Sequence, residues 1–135
     1  MTDKVSPEVR SRIMARVQSK DTKPELTVRR LVHGLGYRYR LHRKDLPGRP
    51  DLVFPSRRKV IFVNGCFWHN HANCAKVRIP ETNRDYWVSK IERNSDRDRR
   101  NLSLLHESGW QTETIWECQL NDLDALATRI SNFLQ

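Results

Sequence analysis

Between Val63 and Cys74 the chain gathers two cysteines, two histidines and two adjacent aromatics into twelve residues, Val63-Asn64-Gly65-Cys66-Phe67-Trp68-His69-Asn70-His71-Ala72-Asn73-Cys74. Thiolate sulfur and imidazole nitrogen are the donors that zinc takes in closed tetrahedral sites. Cys66 and Cys74 supply two of them, one of the two histidines a third, and Cys118, far along the chain, a fourth. Spacing alone does not choose between His69 and His71. Four protein donors leave no place for water, so such an ion would hold the loop in shape and perform no reaction. Three ordinary buried thiols and scattered histidines are the plainer account, but it leaves their clustering unexplained. If His71 is the ligand, His69 is left for acid–base chemistry. In a core, Phe67 and Trp68 would be ordinary; on a metal-pinned loop they are suited to wedge between stacked bases.

A second signal lies twelve residues upstream of Val63, in Arg49-Pro50-Asp51. A carboxylate opening a strand at the end of a sheet is a common place to hold a divalent cation against phosphate. Mg2+ needs only one or two protein carboxylates, with water and phosphate oxygens completing its shell. The ion would polarise a scissile phosphate and activate a water. His69 is the natural general base, since imidazole titrates near neutrality. Glu25 is a candidate second acid. Simpler accounts stand beside both carboxylates: Asp51 as a turn residue after proline, and Glu25 as a negative charge favoured in the first turn of a helix.

Composition agrees with a polyanionic partner. The 135 residues carry 25 Lys plus Arg against 16 Asp plus Glu, a net charge of +9, which favours nucleic acid. Only seven of the cations are Lys. Arg forks onto phosphates and guanine edges, so the bias suits specific contacts better than a diffuse coat. The three cysteines are odd in number, and no apolar leader precedes them, which argues against a disulfide framework. No stretch approaches the length of a membrane span. The expectation is a cytoplasmic, reduced protein without a membrane partner.

The elements that must position these groups are legible in outline, and the length indicates one domain over residues 1–135. Residues 1–20 form a basic arm in which Ser6-Pro7-Glu8 starts a helix carrying Ile13, Met14 and Val17. Thr22 caps a second helix with Pro24 and Glu25 in its first turn. Val28, Leu31, Val32 and Leu35 give it a core-facing stripe, and Gly34 and Gly36 end it. Tyr37 to Leu41 alternates as a half-exposed strand, and Asp51 to Phe54 begins another. Val60-Ile61-Phe62-Val63 has no polar face and reads as a central strand. A long charged helix runs from about Asn83 to His106, with Trp87, Ile91, Leu102 and Leu105 near one face and arginines crowding its middle. A strand over Trp110 to Trp116 follows. Asn121 caps a last helix with Leu123, Leu126, Ile130, Phe133 and Leu134 inward.

Five segments, in order, resemble the very-short-patch-repair (Vsr) mismatch endonucleases: Asp21-Thr22-Lys23-Pro24-Glu25, Leu46-Pro47-Gly48-Arg49-Pro50-Asp51, Gly65-Cys66-Phe67-Trp68-His69, Asp96-Arg97-Asp98-Arg99-Arg100 and Ile115-Trp116-Glu117-Cys118. The resemblance implies a restriction-endonuclease-like α/β fold, a central mixed sheet flanked by helices with a structural zinc site. It implies strand-specific nicking 5′ to the thymine of T:G mismatches, which arise when 5-methylcytosine deaminates. It makes Asp51 a Mg2+ ligand, His69 the general base, and Glu25 a support for the hydrated metal and for His69. Cys66, His71, Cys74 and Cys118 fall on the zinc ligands. Phe67, Trp68 and Trp87 fall on residues that intercalate from the major groove, and Met14 on the minor-groove side of the mismatch. Val63 stands where the best-known pattern has Thr, and its backbone carbonyl would serve the Mg2+. Asn64 replaces a histidine and removes one acid–base group. The substrate implied is double-stranded DNA with a T:G mismatch, met by a monomer, with a functional link to a cytosine-5 DNA methyltransferase and other repair proteins.

Two rival functions remain: a sequence-specific endonuclease or nickase linked to a methyltransferase without mismatch preference, and a non-catalytic zinc-stabilised DNA-binding module. A binding module needs neither Asp51 nor His69.

Overall fold

The computed structural model describes residues 22–69, 71–72, 74 and 77–135. The expected N-terminal arm, with its helix start at Ser6 and Met14, lies outside the described residues. The first described helix, α1 (Lys23–Gly34), starts where Thr22 Oγ1 accepts a hydrogen bond from Glu25 N at 3.4 Å. Proline sits at its second position, where its missing N–H costs nothing. The helix ends through Gly36, whose φ of +94° lets the chain turn away.

Four strands form one mixed sheet in the order β1 (Arg40–Leu41), β2 (Leu52–Phe54), β3 (Lys59–Asn64), β4 (Gln111–Trp116). β2 pairs antiparallel with β1 and with β3, while β3 and β4 run parallel with Val63 opposite Ile115. The parallel pair needs a crossover, and α2 (Arg84–Glu107) provides it. β3 is therefore central, as its unbroken apolar run requires, and Val60 and Ile61 have no exposed surface. α3 (Leu123–Leu134) closes the chain.

The two sheet faces are covered by different helices. Val28 and Val32 of α1 and Leu126, Ile130 and Leu134 of α3 pack with Leu52, Phe54, Ile61, Val63 and Ile115. On the other face Val53 and Val60 pack with Leu105 of α2 and with Trp110. The alternation along β3, with Ile61 and Val63 to one side and Val60 and Phe62 to the other, follows from the two-residue period of a strand. Each fully buried aliphatic side chain contributes roughly 1.5–3 kcal/mol. α3 is further anchored at its C-terminal end, where Lys59 Nζ donates to Phe133 O at 2.6 Å and Arg57 Nη1 to Leu134 O at 2.8 Å.

Four local expectations need correction. The strand expected over Tyr37 to Leu41 pairs only at Arg40–Leu41, because its partner β2 is three residues long and runs into Pro55. Tyr37 and Tyr39 instead lie half-buried against the α1–α3 core. The cap of α3 is Asp122, whose Oδ1 accepts from Ala125 N at 3.1 Å, while Asn121 ends a short 3-10 turn over Glu117–Asn121. That shift leaves Leu123 45% exposed at the helix start. Leu35, 38% exposed, likewise lies just past α1. Among the described residues no helix is long and apolar enough to cross a membrane.

The turn leading into β2 depends on Gly48, which has φ +78°. A Cβ there would meet both Asn101 Cβ and Phe62 Cε1 at 3.1 Å. Replacing Gly48 by Ala therefore combines a left-handed backbone with overpacking and should cost about 1–3 kcal/mol of stability. Urea unfolding of the variant against the parent measures it; an unchanged midpoint would refute the close approach of this turn to α2.

Candidate active site

A cleft of about 400 Å³ opens at the end of the sheet where β3 finishes and β2 begins. Its walls include Glu25, His42, Lys44, Arg49, Asp51 and His69. Asp51 stands one residue before β2, beyond the last ladder pair Leu52↔Ile61. Its Oδ2 accepts a 2.6 Å hydrogen bond from Val63 N on β3. The carboxyl is raised to about 8, chiefly because burial disfavours the charged form. The Val63 amide opposes the shift by favouring the anion, and the Glu25 charge and hydrogen bond reinforce it.

Glu25 reaches the same space from α1. Only 3% exposed, it is no solvated helix-end charge. Arg29 Nη2, one turn along, donates to its Oε2 at 3.1 Å, and His42 Nε2 lies 3.5 Å from that oxygen. Candidate ligand atoms of Glu25, His42 and Asp51 all fall within 4.8 Å of one another. A raised, largely buried carboxyl beside a second carboxylate fits a divalent cation well: the ion would supply the positive charge that two close acids need to ionise together.

His69 approaches from the loop after β3. Its Nδ1 meets Asp98 Oδ2 of α2 at 2.5 Å. With Nδ1–H donating to the carboxylate, Nε2 keeps its lone pair for a proton. The loop is tied down by His69 N to Gly65 O at 3.2 Å and by Asn94 Nδ2 to Trp68 O at 3.1 Å. Asn94 and Asp98 thus fix the loop and its histidine from one face of α2.

The second cluster lies behind this loop. Donor atoms of Cys66, His71, Cys74 and Cys118 sit within 4.8 Å of one another, and Cys118 Sγ is 3.5 Å from His71 Nδ1. None of the three cysteines forms a disulfide. Burial pushes the Cys66 thiol up to about 12, with the neighbouring Cys118 and Cys74 thiols adding to the shift. Three thiols crowded around one imidazole form a donor set that could hold zinc. His71 stacks on Trp116 with centroids 4.1 Å apart and planes 7° from parallel, which orients its ring. The structure thus groups His71 with the thiols and His69 with Asp98.

Phe67, Trp68 and Trp87 form a half-buried aromatic cluster with centroid separations of 5.1–6.0 Å. Tyr86 adds an edge contact to Trp87 at 5.0 Å, and Lys90 Nζ lies 5.6 Å from the Trp68 ring. Beyond Lys90 a shallow groove on α2 is lined by Arg93, Arg97, Arg99 and Arg100. Aromatics flanked by cations make a platform for bases and phosphates.

The sequence profile of the DNA mismatch endonuclease Vsr family matches residues 2–76. The chain is 54% identical over 134 residues to the type II nicking enzyme V.XorIIP of Xanthomonas oryzae pv. oryzae, covering 99% of this chain and 98% of that one. It is 40% identical over 126 residues to the DNA mismatch endonuclease Vsr of Escherichia coli, covering 93% and 80%. This chain belongs to the Vsr family. Among solved structures it is similar to the catalytic domain of a homing endonuclease, with TM-score 0.59 and 26% identity over 84% of this chain and 94% of the other. The expected restriction-endonuclease-like fold is present, and a Vsr-family DNA endonuclease is the function class that fold and family share.

Against that family setting, sequence reasoning had not singled out His42, Arg29, Asn94 or a role for Asp98. His42 sits among basic residues with no spacing signal. Asn94 and Asp98 were detectable: they occupy helical positions between the buried Ile91 and Leu105, where an apolar stripe would otherwise continue.

The Asp51 carboxyl has a consequence for stability. Between about pH 4 and pH 8 the folded chain retains a proton that the unfolded chain has released. Its contribution is complete below the ordinary carboxylate range and is lost as pH rises through about 8. Protein stripped of divalent cations should therefore lose stability across that window. Asp51→Asn should remove much of the slope and be the more stable form at pH 8 by at least about 1 kcal/mol. Denaturation at several pH values compares them; parallel profiles would contradict the buried, proton-holding carboxyl.

Proposed function

We propose that this Vsr-family endonuclease nicks one strand of duplex DNA 5′ to the thymine of a T:G mismatch, by Mg2+-dependent hydrolysis. The observation that carries this reading is the convergence, at one sheet end, of Asp51 and Glu25 with the His69–Asp98 pair, on a loop that also bears Phe67 and Trp68.

Asp51 and the backbone carbonyl of Val63 would hold the Mg2+, with Glu25 supporting its water shell. When bound, the ion supplies charge neutralisation at the scissile phosphate and acidifies a water. His69 Nε2 takes the proton of the attacking water, and Asp98 holds the ring in the tautomer that allows it and stabilises the imidazolium. The water oxygen bonds to phosphorus as one ester P–O bond breaks, and the departing sugar oxygen takes up a proton from solvent. Lys44 and Arg49 on the cleft wall are placed to meet the phosphate oxygens. Asn64 cannot exchange a proton near neutrality, so the acid–base work falls to His69. Cys66, His71, Cys74 and Cys118 would hold a structural zinc that keeps the loop rigid. Phe67, Trp68 and Trp87 would wedge into the major-groove side of the mismatch, and Met14 on the arm would meet its minor-groove side. An asymmetric lesion suits a monomer, working in the cytoplasm where a cytosine-5 DNA methyltransferase makes the 5-methylcytosine whose deamination gives the mismatch.

A second reading, sequence-specific nicking without mismatch preference, is favoured by the name of the 54%-identical relative, a type II nicking enzyme. Strand-resolved cleavage of duplexes with one T:G pair in varied contexts, beside their matched counterparts, separates the two. We expect nicking only of the thymine strand of mismatched duplexes and only with a divalent cation. Asp51→Ala should abolish nicking while duplex binding survives, and His69→Ala should slow it by about 10²–10⁴-fold. Equal cleavage of matched duplexes would establish the second reading.

The zinc assignment has its own measurement. Purified protein should contain about one zinc per chain. Cys118→Ser, or a strong chelator, should remove it and lower the unfolding midpoint, because binding energy at such a site is folding energy. Full metal content in Cys118→Ser would exclude Cys118 as a ligand.

A further inference from the structure

We infer that His42 is a further protein ligand of the cleft cation, adding a nitrogen donor that raises the site's affinity for Mn2+ relative to Mg2+. The inference rests on the reading of Asp51 as the centre of a divalent-cation site, and adds a nitrogen donor to it.

The geometry is specific. A ligand nitrogen of His42 lies within 4.8 Å of ligand oxygens of both Glu25 and Asp51. Atoms bound to one ion are neighbours at roughly this range or closer, since each lies about 2.0–2.2 Å from the metal. His42 follows β1 directly with φ +49°. Few residues other than glycine adopt this conformation, and histidine is among those enriched in it. The turn carries the ring to the wall of the cleft, where it shares the lining with Asp51 and His69.

The contact with Arg29 suits a ligand. Arg29 Nη2 lies 3.0 Å from His42 Nε2. A guanidinium has only donors, so Nε2 accepts and the ring proton sits on Nδ1. That leaves the Nε2 lone pair directed toward Arg29, with a Glu25 carboxylate oxygen 3.5 Å from the same nitrogen. A cation that takes this lone pair exchanges it for the Arg29 contact, while Arg29 keeps its 3.1 Å bond to Glu25. Arg29 thus presets the tautomer that ligation needs.

The choice of ion follows from donor chemistry. Mg2+ demands hard oxygen ligands and sheds water reluctantly. Imidazole draws the site toward transition ions, and Mn2+ accepts both donor types. His42 would therefore raise affinity for Mn2+ far more than for Mg2+. Its place in the same cleft as His69 gives the two rings separate tasks, one on the metal and one on the water.

Electron paramagnetic resonance of bound Mn2+ tests this directly, because a coordinating histidine nitrogen adds its own hyperfine modulation to the signal. The full chain, with the ion of the cysteine cluster in place, is titrated with Mn2+ and separately with Mg2+ by calorimetry. We expect nitrogen modulation in the parent and in His69→Ala, and its loss in His42→Gln and His42→Asn. Asn tolerates the left-handed backbone, so it separates ligand loss from backbone strain. Mn2+ affinity should fall about 10–100-fold in both His42 variants, with Mg2+ affinity changed by less than about threefold. Mn2+ binding without nitrogen modulation, or modulation that survives in both His42 variants, overturns the assignment of His42 and leaves the Asp51 site standing. Absence of Mn2+ and Mg2+ binding, or binding undiminished in Asp51→Ala, overturns the underlying metal-site reading as well.

Discussion

The hydrogen bond from Val63 N to Asp51 Oδ2, at 2.6 Å, is the contact on which the rest of the site depends. It uses a backbone donor of the central strand, which is held on both sides by β2 and β4 and cannot drift without breaking the sheet. Through it the most rigid part of the fold sets the position of the carboxylate. The residues on either side are equally constrained: Pro50 and Leu52 are fully buried. A single amide partly offsets the cost of burying an anion, but burial still holds the carboxyl up at about 8. The Arg29 guanidinium lowers the carboxyl without outweighing burial, and a divalent cation in the cleft would favour the ionised form further.

The other half of the constellation is built by α2, and it is built at the expense of packing. From Ile91 to Leu105 the inward positions run Ile91, Asn94, Asp98, Asn101, Leu102, Leu105, and only the two ends are fully buried. A helix of 24 residues can sustain a polar interruption of this length because its ends still dock, through Ile91 at one and through Leu105 with Trp110 at the other. The interruption places Asp98 on His69 and Asn94 on the Trp68 carbonyl. On the outward side the same turns carry the arginines, so one helix grips the loop with its inner face and offers cations with its outer one.

How much of this was readable from residues alone depended on the range of the interaction. Short-range features were legible: the Thr22 cap, the central run Val60 to Val63, the long helix after Asn83, and the cysteine cluster. The choice between His69 and His71 was not a matter of spacing. What separates the two rings is their tertiary partners, Asp98 for His69 and Trp116 with the thiols for His71. His42 gave no signal because its significance comes from a left-handed turn after a two-residue strand, and no local periodicity encodes that. Where strand ends and caps moved by a residue or more, as at Asp122 and Tyr37, the winner was a nearby hydrogen-bond acceptor or the short reach of a partner strand.

In the proposed function the loop between β3 and the cysteine cluster has two tasks, and both demand rigidity. A wedge of aromatics needs a stiff base, because stacking energy is lost if the side chains can retreat. A general base needs placement to a fraction of an ångström against a water it does not hold itself. Loops rarely provide either. Here stiffness comes from three directions: β3 at one end, Asn94 and Asp98 of α2 in the middle, and the thiol cluster beyond, which closes back onto Cys118 after β4. Because β3 and β4 are parallel neighbours, the loop after one and the turn after the other emerge at the same end of the sheet. A donor set split between them can therefore close across that end. The parallel crossover thus has a direct chemical consequence: it brings a cysteine 44 residues after Cys74 beside it, and so fixes the segment that carries His69.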